Sequence, residues 1–194
     1  MDVVFIIDTV TNVGTVMWNE VVKLIKSVII RLDVNEYGTH VAVMTYTNDW
    51  VIVKSLEGST RLQLVLTTYN NGRRKVSSAI RKTCTDILNR FGDGYYSTGD
   101  RAGVPDVMVI FMGGPSSNAT ATSIEAEVAK SYGIKIITVG VGPDGDVDEL
   151  KNIATNATEA ERLHVVAPEN VTALFPTLLE YIRDLVVDIP DLGK

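Results

Sequence analysis

The sequence predicts an α/β fold with a doubly wound, mostly parallel central sheet of about six strands and helices on both faces. Three observations predict it. Short apolar runs recur along the chain, helical apolar patterns lie between them, and this alternation continues over the whole length. Parallel strands need crossover connections, and helical crossovers cover both faces of the sheet.

The apolar runs have the length of β-strands. Their almost unbroken hydrophobicity is typical of strands that are buried on both faces. The predicted strands are residues 3–7, 41–46, 51–53, 107–111 and 134–141. Because residues 51–53 follow the preceding strand closely, we expect them to form an antiparallel edge strand.

Four stretches carry helical patterns. In the first, apolar residues recur at spacings of three and four from Trp18 to Leu32, which places them on one face of a helix. The other three patterns cover residues 76–91, 123–132 and 171–186, and each is long enough for a crossover helix. Residues 92–103 are rich in glycine and aspartate, so we expect a long surface loop there.

Composition and charge limit the function. The chain has 194 residues, which suits one domain, and its 45% hydrophobic and 22% charged residues are typical of a globular protein. A net charge of -6 does not favour binding to nucleic acid or to anionic lipid. No apolar run is long enough for membrane insertion. Because Met1 and Asp2 lead directly into the first strand, we expect an excised domain without a signal peptide.

Residues for catalysis are not grouped in the sequence. His40 and His164 stand alone in strand-like surroundings, no Gly-x-Gly-x-x-Gly follows the first strand, and no Gly-x-Ser-x-Gly or Walker motif occurs. The single cysteine, Cys84, lies in a helical pattern and is predicted to be a small buried apolar residue, with an intermolecular disulfide as the alternative. We therefore expect that the protein is not an enzyme.

Four segments carry a resemblance to a known family. They are residues 2–14 (DVVFIIDTVTNVG), 104–114 (VPDVMVIFMGG), 132–142 (YGIKIITVGVG) and 148–154 (DELKNIA). They resemble the corresponding segments of von Willebrand factor A domains, over residues 2–188. The resemblance implies one such domain over residues 1–194, with residues 189–194 as a C-terminal tail. Details such as the His164-Val-Val segment near the end of the chain resemble the domains of matrix proteins, among them type VI collagen and matrilins. This closer resemblance implies a secreted, extracellular matrix protein.

Members of this family often hold Mg²⁺ or Mn²⁺ in a metal-ion-dependent adhesion site. Its ligands are an Asp and two Ser of the first loop, a Thr of the second and an Asp of the third, and such oxygen ligands suit a hard divalent cation. Matched residue by residue, Asp8 keeps the first ligand, and Asn12 is a weaker substitute for the second Ser. Val10 replaces the first Ser, Arg74 the Thr and Gly113 the second Asp.

The arginine in the second loop argues against a bound metal. A guanidinium about 4 Å from a divalent ion is repelled by roughly 8 kcal/mol at an effective dielectric constant near 20. We therefore expect a degenerate site without a cofactor, with Mg²⁺ on Asp8 and Asn12 as the alternative. We hypothesise that Arg74, or its neighbour Arg73 or Lys75, reaches Asp8 as a counter-charge.

Two other interpretations of the basic triplet remain open. It is either a solvated loop, with Asp8 capping the following turn, or a basic patch for an acidic partner such as a glycosaminoglycan or an acidic protein segment. The resemblance and the broken ligand set imply a non-catalytic protein-binding module of a matrix or adhesion protein, whose partners are matrix proteins such as collagen or further copies of itself. The alternative is a domain that binds a ligand carboxylate through Mg²⁺ or Mn²⁺.

Two further patterns concern modification and calcium. Asn118, Asn156 and Asn170 each begin an Asn-x-Thr sequon and are candidate N-glycosylation sites. The acids at positions 144, 146 and 148 are spaced like the start of a calcium loop, but the glycine and the closing glutamate of such a loop are missing. We expect these acids to mark the start of a helix instead.

Overall fold

The computed structural model of the protein describes residues 1–9, 14–57, 73–89 and 100–187. Its sheet has six strands in the order β3-β2-β1-β4-β5-β6. The strands are β1 (Asp2–Asp8), β2 (His40–Tyr46), β3 (Trp50–Glu57), β4 (Asp106–Met112), β5 (Lys135–Val141) and β6 (His164–Val165). Only β3 is antiparallel to its neighbour. The predicted fold class and the antiparallel edge strand are confirmed.

Helices cover the sheet on both sides. They are α1 (Thr15–Arg31), α2 (Val76–Lys82), α3 (Ala119–Ser131), α4 (Val147–Ile153), α5 (Ala157–Arg162) and α6 (Phe175–Val187). A π-helical turn, Thr83–Ile87, continues α2, and the short 3-10 turns Pro168–Asn170 and Thr172–Leu174 precede α6. No helix among these described residues is both long and apolar enough to cross a lipid bilayer.

The unbroken hydrophobicity of β1 follows from its central position. All seven of its residues are buried. Val3, Phe5 and Ile7 belong to a core that includes the apolar face of α1 and residues of α6, whereas Val4 and Ile6 belong to a second core with α2 and α3. Successive side chains of a strand point to opposite faces, so both faces of β1 need apolar residues.

Several element boundaries differ from the prediction. Helix α2 with its π-helical turn ends at Ile87, earlier than predicted, and residues 90–99 lie outside the described part of the chain. Helix α3 begins at Ala119, four residues earlier than predicted, because the side chain of Asn118 accepts a hydrogen bond from the backbone N–H of Ala121 and caps the helix. The predicted tail, residues 189–194, also lies outside the described residues.

Three short elements were not predicted as separate units. Strand β6 has two residues, and helices α4 and α5 have seven and six. Elements of this length contain too few residues to establish an apolar period. The acids before α4 do mark a helix start, as expected, since Asp146 caps α4 by accepting a hydrogen bond from the backbone N–H of Glu149 at 3.0 Å.

Candidate functional site

The carboxyl ends of the parallel strands meet at one edge of the sheet, where ligand sites form in open α/β folds. Asp8 is the last residue of β1, and Gly113 directly follows β4. The loop that precedes α2 brings Arg73, Arg74 and Lys75 to the same edge. We call Asp8, residues 73–75, residues 113–118 and Asp144 the crown.

Arg74 forms an ion pair with the buried carboxylate of Asp8. Its Nε lies 2.6 Å from Oδ2 of Asp8, and the two side chains are 12% and 1% exposed. The same Oδ2 accepts a hydrogen bond from the backbone N–H of Gly113 at 3.0 Å, and Nη2 of Arg74 donates to the carbonyl oxygen of Gly113 at 3.2 Å. The guanidinium therefore links the end of β1 to the end of β4.

Arg73 and Lys75 have a different environment from Arg74. Both side chains are exposed. The backbone N–H of Arg73 donates to the side-chain oxygen of Asn48, and that of Lys75 donates to the carbonyl oxygen of Thr47, which holds the loop in place. Of the three residues offered by the sequence, Arg74 is thus the one that reaches Asp8. Arg73 and Lys75 give the rim of the crown two exposed positive charges.

Asp144, which the sequence pattern assigns to a helix start, also belongs to the crown. It lies in the loop after β5 and is exposed. A Cβ atom placed on Gly114 would lie 3.1 Å from the guanidinium carbon of Arg74 and 3.3 Å from Cβ of Asp144. The guanidinium and Asp144 therefore approach the same glycine, and a second acid lies near Arg74 in addition to Asp8.

Tyr46 lies next to Asp8 at the end of β2 and is buried. Its hydroxyl group donates to the carbonyl oxygen of Phe111 at 3.3 Å. Burial, and then the negative charge of Asp8, raise the pKa of Tyr46 well above its ordinary value. The hydroxyl group stays protonated and supports the ends of β2 and β4 beneath the crown.

Glu149 of α4 fastens the loop after β4. Its side chain is buried and accepts hydrogen bonds from the backbone N–H of Ser116 at 2.8 Å and from the hydroxyl group of the same serine. The next residue, Ser117, donates from its backbone N–H and its hydroxyl group to the carbonyl oxygen of Arg74, at 2.9 and 3.1 Å. The loops before α2 and after β4 are therefore held together as one surface.

Comparison with known proteins identifies the family. Residues 2–179 match the family model of the von Willebrand factor type A domain. The chain belongs to the von Willebrand factor type A (VWA) family. The resemblance to von Willebrand factor A domains is thus confirmed.

The relatives of this VWA domain include matrix and adhesion proteins. It is 28% identical to matrilin-1 of Gallus gallus over 80% of this chain and 31% of the relative, and 26% identical to von Willebrand factor of Rattus norvegicus over 81% of this chain and 35% of the relative. It is 27% identical to the collagen alpha-4(VI) chain of Mus musculus over 95% of this chain and 8% of the relative. The chain therefore spans about a third or less of the length of these relatives.

Solved structures share the fold. Proximal thread matrix protein 1 from the mussel byssus superimposes with a TM-score of 0.74 at 14% identity, over 93% of this chain and 45% of that chain. A second structure of the mussel protein has a zinc-occupied MIDAS motif, the metal-ion-dependent adhesion site. The manganese-loaded TRAP protein of Plasmodium vivax superimposes with a TM-score of 0.68 at 14% identity, over 91% of this chain and 72% of that chain.

The family positions for metal ligands are only partly described in this VWA domain. Val10 and Asn12 lie outside the described residues. Asp8 is at the expected end of β1, but its Oδ2 is bonded to Arg74 and to the backbone of Gly113. Among the matched positions that the structure describes, Asp8 is the only one with a carboxylate. The single carboxylate of Asp8 does not make a site for a divalent cation while Arg74 stays in place.

A second acidic group lies at the opposite edge of the sheet. Carboxylate oxygens of Asp2, Asp100 and Asp106 lie within 4.8 Å of one another, close enough to share a cation. Arg101 brings a positive charge there, since its Nε donates to Asp2 at 3.0 Å and its Nη2 donates to the carbonyl oxygen of Met1 at 2.9 Å. Because Asp2 begins β1 and Asp8 ends it, this group is separate from the crown.

The other candidate residues are dispersed. Cys84 is buried in the π-helical turn that continues α2, in agreement with its predicted apolar role. His40 begins β2 at the edge opposite the crown, whereas the ring of His164 packs against Gly140 of β5. The sequon asparagines are all exposed: Asn118 caps α3, Asn156 caps α5, and Asn170 ends a 3-10 turn.

Proposed function

We propose that this VWA domain is a non-catalytic protein-binding module of a secreted matrix or adhesion protein, and that it binds its partner without a metal ion. The observation that carries the proposal is the 2.6 Å contact between Arg74 Nε and Asp8 Oδ2, with Asp8 only 1% exposed. The matrix and adhesion proteins among the relatives support an extracellular partner, and collagen and further copies of the chain are the candidates.

The ion pair and a metal ion compete for the same atom. A cation on Asp8 would have to displace Arg74 from Oδ2 or accept the guanidinium as a close neighbour. At an effective dielectric constant near 20, the second arrangement costs roughly 8 kcal/mol at 4 Å. Removing Arg74 instead would break a charge-assisted hydrogen bond that is shielded from solvent. Both routes disfavour the metal.

The charges of the crown indicate what kind of surface it fits. Arg73 and Lys75 of the crown are exposed on one side, and Asp144 of the crown is exposed on the other, followed by the exposed Asp146 and Asp148 at the start of α4. A uniformly acidic polysaccharide would be attracted by the first group and repelled by the second. The arrangement therefore favours a protein partner that carries charges of both signs.

Titration with Mn²⁺ tests the absence of the metal. We expect no saturable heat with the wild-type domain at millimolar Mn²⁺ in a calorimeter. The double variant Arg74→Thr/Gly113→Asp removes the positive charge and restores two family ligands, and it should bind Mn²⁺ measurably. Saturable binding to the wild type that is lost in Asp8→Asn would contradict the proposal and favour the metal-dependent alternative.

Capture from a matrix extract tests the binding function. We expect the immobilised domain to retain the same proteins with and without EDTA. The variant Arg73→Glu/Lys75→Glu should retain several-fold less, because it reverses both exposed positive charges of the crown. Lys23→Glu/Lys26→Glu on α1 is the matched control for charge and should behave as the wild type. Capture that disappears with EDTA would refute this function, and so would capture that is equal for the wild type and Arg73→Glu/Lys75→Glu.

A further inference from the structure

The first sequon lies beside the basic loop of the crown. Ser117 donates two hydrogen bonds to the carbonyl oxygen of Arg74, at 2.9 and 3.1 Å, and Asn118 is the next residue. Lys75 in turn follows Arg74. Since adjacent Cα atoms are about 3.8 Å apart, a group attached to Asn118 stands directly beside the exposed side of this loop.

The side chain of Asn118 is available for modification without loss of its structural role. The residue is exposed and caps α3 through its Oδ1, which accepts from the backbone N–H of Ala121 at 3.0 Å. N-glycosylation takes place at the amide nitrogen Nδ2, and the amide oxygen is kept. The cap and a glycan are therefore compatible, and the sequon threonine, Thr120, is also exposed.

The second sequon lies at the other end of the sheet. The backbone N–H of Thr155, which precedes Asn156, donates to the carbonyl oxygen of Ile136 at 2.8 Å, and the hydroxyl oxygen of Thr155 accepts from the backbone N–H of Ile136 at 2.9 Å. Ile136 is the second residue of β5, whereas the crown lies at the carboxyl ends of the strands. Two exposed sequons of the form Asn-Ala-Thr thus lie at opposite edges of the sheet, one beginning at the last residue of crown segment 113–118 and one away from the crown.

We infer that Asn118 carries an N-linked glycan that covers the basic side of the crown and limits access of a partner to it. The oligosaccharide is transferred from a lipid-linked pyrophosphate donor: Nδ2 bonds to the anomeric carbon, the bond from that carbon to the pyrophosphate breaks, and Nδ2 loses one proton. The part that concerns the partner rests on the proposed function. The covering of Lys75 by the glycan is independent of the proposed function, and it is measured without a partner.

The experiment compares three secreted forms of the full chain, produced in mammalian cells: the wild type, Thr120→Ala and Thr158→Ala. Each threonine change removes one sequon and leaves the capping asparagine in place. Enzymatic release of glycans in heavy-oxygen water, followed by mass spectrometry, reports whether Asn118 and Asn156 are occupied. A bulky polyethylene-glycol succinimidyl ester then labels the lysines, and peptide analysis gives the labelling rates of Lys75 and Lys23.

We expect a glycan on Asn118 in the wild type and several-fold faster labelling of Lys75 in Thr120→Ala. The rate should be unchanged in Thr158→Ala. Lys23, which is 63% exposed on α1 across the sheet from α3, should label equally in all three forms. An unmodified Asn118, or equal labelling of Lys75 in the wild type and Thr120→Ala, would overturn the inference. If the glycan covers Lys75 but Thr120→Ala captures no matrix protein, only the proposed function fails.

Discussion

Replacement of Arg74 by methionine is expected to lower the free energy of unfolding by about 3–5 kcal/mol. Methionine keeps much of the apolar stem of the arginine but removes its charge. Asp8, which is 1% exposed, then keeps the hydrogen bond from the backbone N–H of Gly113. It loses the ion pair with the guanidinium, whose Nε lies 2.6 Å from its Oδ2. A buried carboxylate without a counter-charge is strongly destabilising, so the loss should greatly exceed that of an ordinary surface substitution.

Urea unfolding at neutral pH measures this loss, and a double-mutant cycle assigns it to the pair. We expect Asp8→Asn/Arg74→Met to be more stable than the sum of the two single losses predicts, because the double variant leaves no buried charge unpaired. Arg73→Met is the matched control, since Arg73 is exposed, and it should change stability by less than about 0.5 kcal/mol. If Arg74→Met were as mild as Arg73→Met, the ion pair with Asp8 would contribute no more to stability than an exposed arginine does.

The Asp8–Arg74 contact could be anticipated because fold topology determines which loops meet. Once residues 3–7 and 107–111 are predicted as parallel neighbours, the residues that follow them must lie at one edge of the sheet. The ion pair then follows from charge, because the loop before α2 offers three cations and β1 ends in a buried acid. The family resemblance placed Arg74 at the ligand position of the second loop, whereas charge alone did not distinguish it from Arg73 and Lys75.

Glu149 and Asp144 could not be anticipated in the same way. Both belong to an acid-rich stretch whose pattern is typical of a solvated helix start, and Asp146 does cap α4 there. Glu149 differs from its exposed neighbours Asp146 and Asp148 in the direction of its side chain. This side chain points inwards, is 6% exposed and accepts a hydrogen bond from the backbone N–H of Ser116. A helix of seven residues gives too little periodicity to reveal which of its acids is buried.

The two ends of β1 follow one electrostatic rule. The strand begins with Asp2 and ends with Asp8, and both carboxylates are buried. Each meets an arginine from a distant part of the chain, Arg101 at the first and Arg74 at the second. Carboxylates at the ends of a fully buried strand need such partners, because burial of an isolated charge is costly. The ion pair of the crown is therefore of the same kind as the pair that stabilises the opposite edge.

Replacement of Arg101 by methionine should consequently cost about 3–5 kcal/mol as well. Asp2 is completely buried, Asp106 is 3% exposed, and their carboxylates lie within 4.8 Å of that of Asp100, so the variant removes a positive charge from a group of acids. It also removes the hydrogen bond from Arg101 Nη2 to the carbonyl oxygen of Met1, which helps to anchor the start of β1.

The matched control is Arg81→Met, which breaks an ion pair of the same chemistry on the surface. Arg81 contacts Glu125, but its side chain is 60% exposed, and pairs of this kind contribute about 0–1 kcal/mol. Urea unfolding of both variants against the wild type gives the comparison. If Arg101→Met and Arg81→Met lowered the free energy of unfolding equally, solvent would screen the acids at the amino-terminal edge of the sheet. Burial of the carboxylate would then not determine the strength of the ion pairs on β1.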